Sequence, residues 1–296
     1  MHSAARELLS DSPAGEDDGG IRIAELTSGS GLVGLYLLGR DKSARLLGLD
    51  IDDAAARLSA KNARVLGLGD RARFACADLW SASTLALLQN DGPQLLVCNP
   101  PYVPEPPGSR MQIEAGAGPH GTAHLLRALE LTRLLQPEAL ALSWCSLSDP
   151  RGIVAAAEGS GYQLEELYVT AIADGEYSGS VHSYLRELSD CFINEQNETL
   201  DIIASDGSAR FAYLLFAGAF RRKSNSDAIS NSPKPAQSPA ASRVEKICQD
   251  FASDGVRTLA SARAPFALHC SVLTRWDELR LRVLLHGEVF PPQGRA

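Results

Sequence analysis

The sequence predicts an α/β protein built on a seven-stranded, mostly parallel sheet with helices on both faces. Three observations carry this. From Ile21 onward a short apolar run, a turn and a helical stretch recur in order, the pattern of parallel strands joined by right-handed helical crossovers. The run Leu95-Leu96-Val97-Cys98 is apolar at every position, as a strand buried on both faces requires, and Asn99-Pro100-Pro101-Tyr102 stops it because proline supplies no ladder donor. Between the first apolar run and the first helical stretch lies Glu25-Leu26-Thr27-Ser28-Gly29-Ser30-Gly31, a turn of small residues that feeds a helix.

Taken in order, strands are predicted over 21–25, 45–49, 73–77, 94–98, 139–145, 164–171 and 211–220. Helices fall between them over 31–40, 53–66, 81–89, 120–135 and 150–159. The connection 173–209 exceeds the usual length and reads as a lid or small insertion with its own helix over 181–188. It carries one arginine against eight acidic side chains, which makes it a poor clamp for nucleic acid. Residues 1–20 read as a mobile lead-in with a short helix over 4–9. Residues 224–242, rich in Ser, Asn, Pro and Ala, read as a flexible linker. The main domain so bounded, 21–223, is followed by a small C-terminal extension, 243–296. An amphipathic stretch over 244–251 and apolar runs over 266–273 and 279–285 mark that extension as ordered, yet it is near the lower limit for an independent core. It is therefore expected to pack on the main domain or on a partner.

Composition narrows the class. With 296 residues, 45% hydrophobic and 22% charged, the chain has the composition of a soluble globular protein. A formal net charge of −8 argues against affinity founded on phosphate neutralisation. Six isolated cysteines, with no Cys-x-x-Cys, suggest reduced thiols; no metal site is expected. The first twenty residues lack an apolar segment behind a basic start, and no apolar stretch is long enough to span a bilayer, so a cytoplasmic location without a membrane partner is expected.

The candidate chemistry sits where the strands end. Glycines after the first strand let backbone approach a ligand, and the helix N-terminus offers free amide donors, although such turns serve dinucleotides, nucleotides and plain packing alike. Asp50 closes the second strand, where a carboxylate can accept both hydroxyl protons of a ribose. Asp52 and Asp53 suit a helix cap better. Asp78 follows the third strand, placed for an adenine amino group or for capping. Asn99 ends the fourth strand, its amide followed by two rigid prolines and an aromatic ring. His120, His124 and His182 read as solvated or capping side chains, and Trp80 and Trp144 as core or pocket-wall residues.

This row of acids ending in Asn-Pro-Pro-Tyr resembles the class I S-adenosylmethionine-dependent methyltransferases, whose fold is Rossmann-like. The motif, with Ile113-Glu114-Ala115-Gly116-Ala117-Gly118-Pro119-His120-Gly121 behind it, is similar to the branch that methylates planar nitrogens: HemK-type protein-glutamine N5 enzymes and N6-adenine enzymes. The resemblance covers roughly residues 20–172. It implies S-adenosyl-L-methionine as cofactor, with Glu25, Thr27, Gly29 and Gly31 around its methionine and ribose portions, Asp50 and Ile51 at the ribose, Asp78 and Leu79 at the adenine, and Asn99 beside the methyl. It also implies Asn99, Pro100, Pro101 and Tyr102 as the catalytic corner, gripping the acceptor nitrogen. The acceptor implied is a protein, with a translation release factor as the family's example, and shorter HemK-type relatives imply a small activating partner protein. Nucleic acid fits the charge less well. Methylation of adenine in DNA or RNA, methylation of a small-molecule amine, and a catalytically dead interaction module are the alternatives. Thr27 stands where the family has its first glycine. If that position needs φ > 0, threonine there costs on the order of 1–3 kcal/mol.

Overall fold

The computed structural model describes Leu8 and residues 20–109, 111–113, 115–204, 207–223 and 238–272. The predicted helix over 4–9 apart from Leu8, the linker over 224–237 and the apolar run over 279–285 lie outside the described residues.

Strand β1 (Arg22–Leu26) lies between β2 (Arg45–Asp50) and β4 (Leu95–Cys98), parallel to both. Strand β3 (Ala72–Cys76) flanks β2 and β5 (Ala139–Cys145) flanks β4, again in parallel. Strand β7 (Ala212–Arg222) then runs antiparallel between β5 and β6 (Tyr162–Ala173). Strand β8 (Ala267–Val272) pairs in parallel with β6, so the order is β3-β2-β1-β4-β5-β7-β6-β8. The sheet thus has eight strands, one more than predicted, because the apolar run expected over 266–273 finds an open edge on β6 and adds to it.

Every residue of β4 and β5 is buried, which is why both read as unbroken apolar runs. Helices α1 (Leu32–Arg40) and α2 (Asp53–Val65) cover one face; α3 (Ala82–Asp91), α4 (Ala123–Leu135), α5 (Pro150–Gly159) and, later in the chain, Pro239–Asp254 cover the other. Alternation along β1 assigns its side chains to these layers. Ile23 joins Leu35, Leu37 and Leu38 of α1, whereas Ala24 and Leu26 join Leu125 and Leu129 of α4. Glu25 shares the parity of Ile23 and lies under α1, where a Cβ on Gly34 would come within 2.6 Å of Glu25 Oε2. A glycine at this helix position therefore makes room for a buried carboxylate.

Three short helices, α6 (Glu176–Ser180), α7 (His182–Leu185) and α8 (Asn197–Ile203), replace the single one predicted over 181–188. Ser178, Gly179 and Ser180 are weak helix formers, and the chain turns at Val181, whose side chain packs into a small apolar cluster with Leu185, Leu188, Phe211 and Tyr213. The final helix, α9 (Pro239–Asp254), begins inside the stretch read as linker: the Ser238 hydroxyl accepts from the Ala241 amide at 2.9 Å, and Pro239 takes the first helical position, where its missing N–H is not needed. Its Val244, Ile247 and Phe251 enter the same core as Trp144 and Phe216.

The chain runs outward from β1 to β3, then returns to β4 on the other side of β1. At this reversal the loops after β1 and β4 diverge and leave a crevice at the carboxyl ends of the strands, where α/β sheets bind ligands.

Candidate active site

A cleft of about 870 Å³ opens at that reversal. This is within the range of small-molecule sites. Glu25, Thr27, Gly29, Asp50, Ile51, Asp78, Leu79, Asn99, Pro100, Pro101 and Tyr102 all stand on its wall. Gly31, predicted with them, does not. It sits at φ 75° immediately before α1, its amide donating to the Ser28 carbonyl at 2.7 Å, and so shapes the turn instead.

The turn after β1 is held from behind. Ser28 N–H donates to the Leu49 carbonyl at 2.9 Å, the Ser59 hydroxyl to the Gly29 carbonyl at 2.7 Å, and the Asn62 amide to the Ser30 carbonyl at 2.9 Å. Thr27 adopts φ 53°, so the position does require left-handed backbone and threonine occupies it under strain. Its hydroxyl turns back to the Leu26 carbonyl.

Glu25 is 3% exposed, and its Oε2 has no hydrogen-bond partner. Burial raises its pKa to about 8; the Val33 and Gly34 amides in the first turn of α1 oppose the rise, and the charge of Asp50 adds to it. A buried, half-satisfied acid is thus placed for a cationic ligand group. Asp50 accepts from the Gly29 amide at 2.7 Å through one oxygen and from the Asp52 amide at 3.0 Å through the other. A carboxylate has about four acceptor positions, so capacity remains on both oxygens. Asp52 caps α2 through the Ala54 amide, as its place in the sequence predicts. Asp78 accepts from the Trp80 amide at 2.9 Å, while Ser81 caps α3, leaving Asp78 without the capping role that was its alternative.

Beyond β4, Asn99 is exposed, Pro100 is buried and Tyr102 is half-buried. Burial pushes the Tyr102 phenol up to about 12, with the Tyr213 hydroxyl beside it acting the other way. The chain then returns past itself: the Val103 amide donates to the Ala115 carbonyl and the Ala117 amide to the Val103 carbonyl, each at 3.1 Å. Gly121, at φ 68°, passes so close that a Cβ would stand 2.3 Å from the Tyr102 carbonyl oxygen. This contact delays the helix predicted from 120 until Ala123.

Other cleft residues were read differently from the sequence, or not named there. His124 is half-buried on the wall: its ring meets Trp80 edge-on with centroids 5.2 Å apart, its Nδ1 is buried without a partner, and burial lowers its pKa. Trp80 is a wall residue and 51% exposed, whereas Trp144 is wholly buried against Phe216. Glu176, Tyr177 and Ser178 reach the cleft from the acidic insertion, and Tyr213 from β7. Tyr213 is part of an apolar run and is indistinguishable from core there; the other three depend on the path of a long connection.

No protein-family model matches this sequence. A release factor glutamine methyltransferase from Rhodospirillum rubrum is 45% identical over 86 residues, 29% of this chain and 24% of that protein. A second, from Moorella thermoacetica, is 33% identical over 146 residues, 47% of this chain and 46% of the relative. A tRNA1(Val) (adenine(37)-N6)-methyltransferase from Porphyromonas gingivalis is 35% identical over 92 residues, 30% of this chain and 36% of the relative. The chain thus spans less than half the length of each of these relatives. Among solved structures, a SAM-dependent methyltransferase from Agrobacterium tumefaciens superposes with a TM-score of 0.42 at 15% identity, covering 75% of this chain and 61% of that one. The strand order, its reversal and the cleft there are those of a Rossmann-like α/β fold. Over these partial stretches the sequence is similar both to release factor glutamine methyltransferases and to a tRNA adenine-N6 methyltransferase.

Proposed function

We propose that the protein is an S-adenosylmethionine-dependent N-methyltransferase of HemK type, acting in the cytoplasm on a glutamine side-chain amide in a protein, with a release factor as the first acceptor to test. The observation that carries this reading is the joining, in one cleft, of the Glu25–Asp50–Asp78 row and the Asn99–Tyr102 corner. The residues present fit the cofactor: the unsatisfied Glu25 Oε2 suits an ammonium, Asp50 has capacity for hydroxyl donors, and Ile51, Leu79 and Trp80 offer apolar surface beside Asp78. The cofactor supplies an electrophilic methyl group on a sulfonium.

This chain's own contribution is to fix a poor nucleophile. An amide nitrogen has its lone pair delocalised into its carbonyl, so it must be oriented before it reacts. The Asn99 side-chain oxygen and the Pro100 carbonyl each accept one N–H of the acceptor, and the fixed φ of both prolines holds the second of these in place. The Tyr102 ring stacks on the planar group. No strong base is required, because the proton leaves after the methyl arrives, and positioning with preorganised dipoles supplies the rate. The insertion, with its excess of acids and with Glu176 on the cleft wall, favours a protein acceptor over a phosphate-bearing one.

Asn99→Ala tests the corner. Turnover is expected to fall by about 10²-fold or more, while S-adenosylmethionine affinity measured by calorimetry stays within a few-fold. Unchanged turnover would contradict the assignment.

A further inference from the structure

Tyr102 is not held by its own loop alone. Its ring packs against the apolar cluster of Cys145, Leu185, Phe211 and Tyr213, to which the 173–209 insertion contributes Leu185, with Val181 and Leu188 packed beside it. Tyr102 and Tyr213 pack together in this cluster, and Ser178 lines the same cleft with them. Tyr213 is 5% and Ser178 3% exposed, so water competes little for polar contacts between them. Ser178 is itself anchored, accepting from the Gly175 amide at 3.0 Å. The insertion also grips the loop that follows Tyr102: the Tyr177 hydroxyl donates to Gln112 Oε1 at 2.7 Å, the Tyr184 hydroxyl donates to the Pro119 carbonyl at 3.0 Å, and Asp190 lies 3.5 Å from His120 Nδ1.

We infer that Tyr213 and Ser178 are positioning residues for Tyr102, through which the 173–209 insertion sets the orientation of the acceptor-stacking ring. The inference deepens the proposed function and rests on it for the meaning of the stacking ring. Both residues line the cleft, and in this account each acts through the phenol of Tyr102. A loosened ring leaves the acceptor nitrogen free to rotate out of line with the methyl, so the loss falls on turnover and not on cofactor binding.

The test uses the full chain with ¹³C-labelled tyrosine rings, the Tyr102 signals being assigned from Tyr102→Phe. In Tyr213→Phe, which keeps the ring and its volume, and in Ser178→Ala, the Tyr102 ring signals are expected to shift and to show faster ring flipping. With a purified bacterial release factor as acceptor, kcat is expected to drop about tenfold in each variant at unchanged cofactor KM. Tyr102 signals identical to wild type in both variants would overturn the inference. Absence of transfer by the wild-type protein would instead count against the acceptor assignment, and the ring measurement would still decide whether Tyr213 and Ser178 hold Tyr102.

Discussion

Two residues on the cleft wall carry a cost in stability. Glu25 titrates near 8 because burial disfavours its charge. In the unfolded chain it ionises near 4.5, so between about pH 4.5 and 8 the unfolded state loses a proton that the folded state keeps. Its contribution is therefore fully present below 4.5 and falls as pH rises toward 8, with a slope of at most about 1.4 kcal/mol per pH unit. Chemical denaturation of wild type and Glu25→Gln across this range is expected to show the slope only in wild type. Binding of a cation beside Glu25 requires its charged form, so S-adenosylmethionine uptake at pH 7 is expected to release close to one proton. Calorimetry in buffers of different ionisation enthalpy reads this release, and Glu25→Gln should abolish it. Thr27, two residues on, holds φ 53° at a cost of about 1–3 kcal/mol. Thr27→Gly relieves the strain but adds unfolded-state freedom of about 0.5–1 kcal/mol. The net expectation is a gain of about 1 kcal/mol and a melting temperature about 2–4 °C higher. A lower melting temperature would mean that the threonine side chain stabilises more than its backbone costs.

At the scale of elements, the insertion and the C-terminal helix hold each other. The buried Asn194 amide donates to the carbonyls of Phe251 and Ala252 at 2.9 and 3.0 Å, closing the last turn of α9, and the Gln196 amide donates to the Ser253 carbonyl. The Asn194 backbone pairs with Ala212 at the start of β7, so one residue ties three parts of the chain together. Asn194→Ala leaves two carbonyls short of a donor and is expected to destabilise by about 1–3 kcal/mol. Hydrogen exchange should quicken together in the last turn of α9 and around 193–196; quickening in α9 alone would show that the two do not act as a unit. The strands were legible because buried parallel strands are short apolar runs with sharp ends. Most of the cleft was legible for the same reason: Asp50, Asp78 and Asn99 are polar residues at the points where those runs stop. The insertion was not, since helices of five, four and seven residues span too few turns to show a period. Nor was the pairing of β8 with β6, which joins residues about a hundred apart that no local pattern connects.

Across the whole molecule, the division of labour follows the sheet. The β1–β3 side presents backbone amides and carboxylates at strand ends, suited to a cofactor with an ammonium, a ribose and a base. The β4–β5 side presents an amide, two prolines and a phenol, suited to a planar acceptor. His124 and Trp80 lie on the cleft wall between helix and sheet, a placement that depends on how the 102–121 loop folds back and is invisible in the spacing of the histidines. The net charge of −8, concentrated in an insertion that borders the acceptor side, weighs against nucleic acid at the same opening. The account therefore turns on where the methyl group goes. Wild-type protein and Asn99→Ala are incubated with methyl-labelled S-adenosylmethionine and, separately, with purified release factor, tRNA and DNA. Label on a release-factor glutamine with wild type, and none with Asn99→Ala, is the result predicted; label on tRNA or DNA adenine and none on the release factor would contradict it.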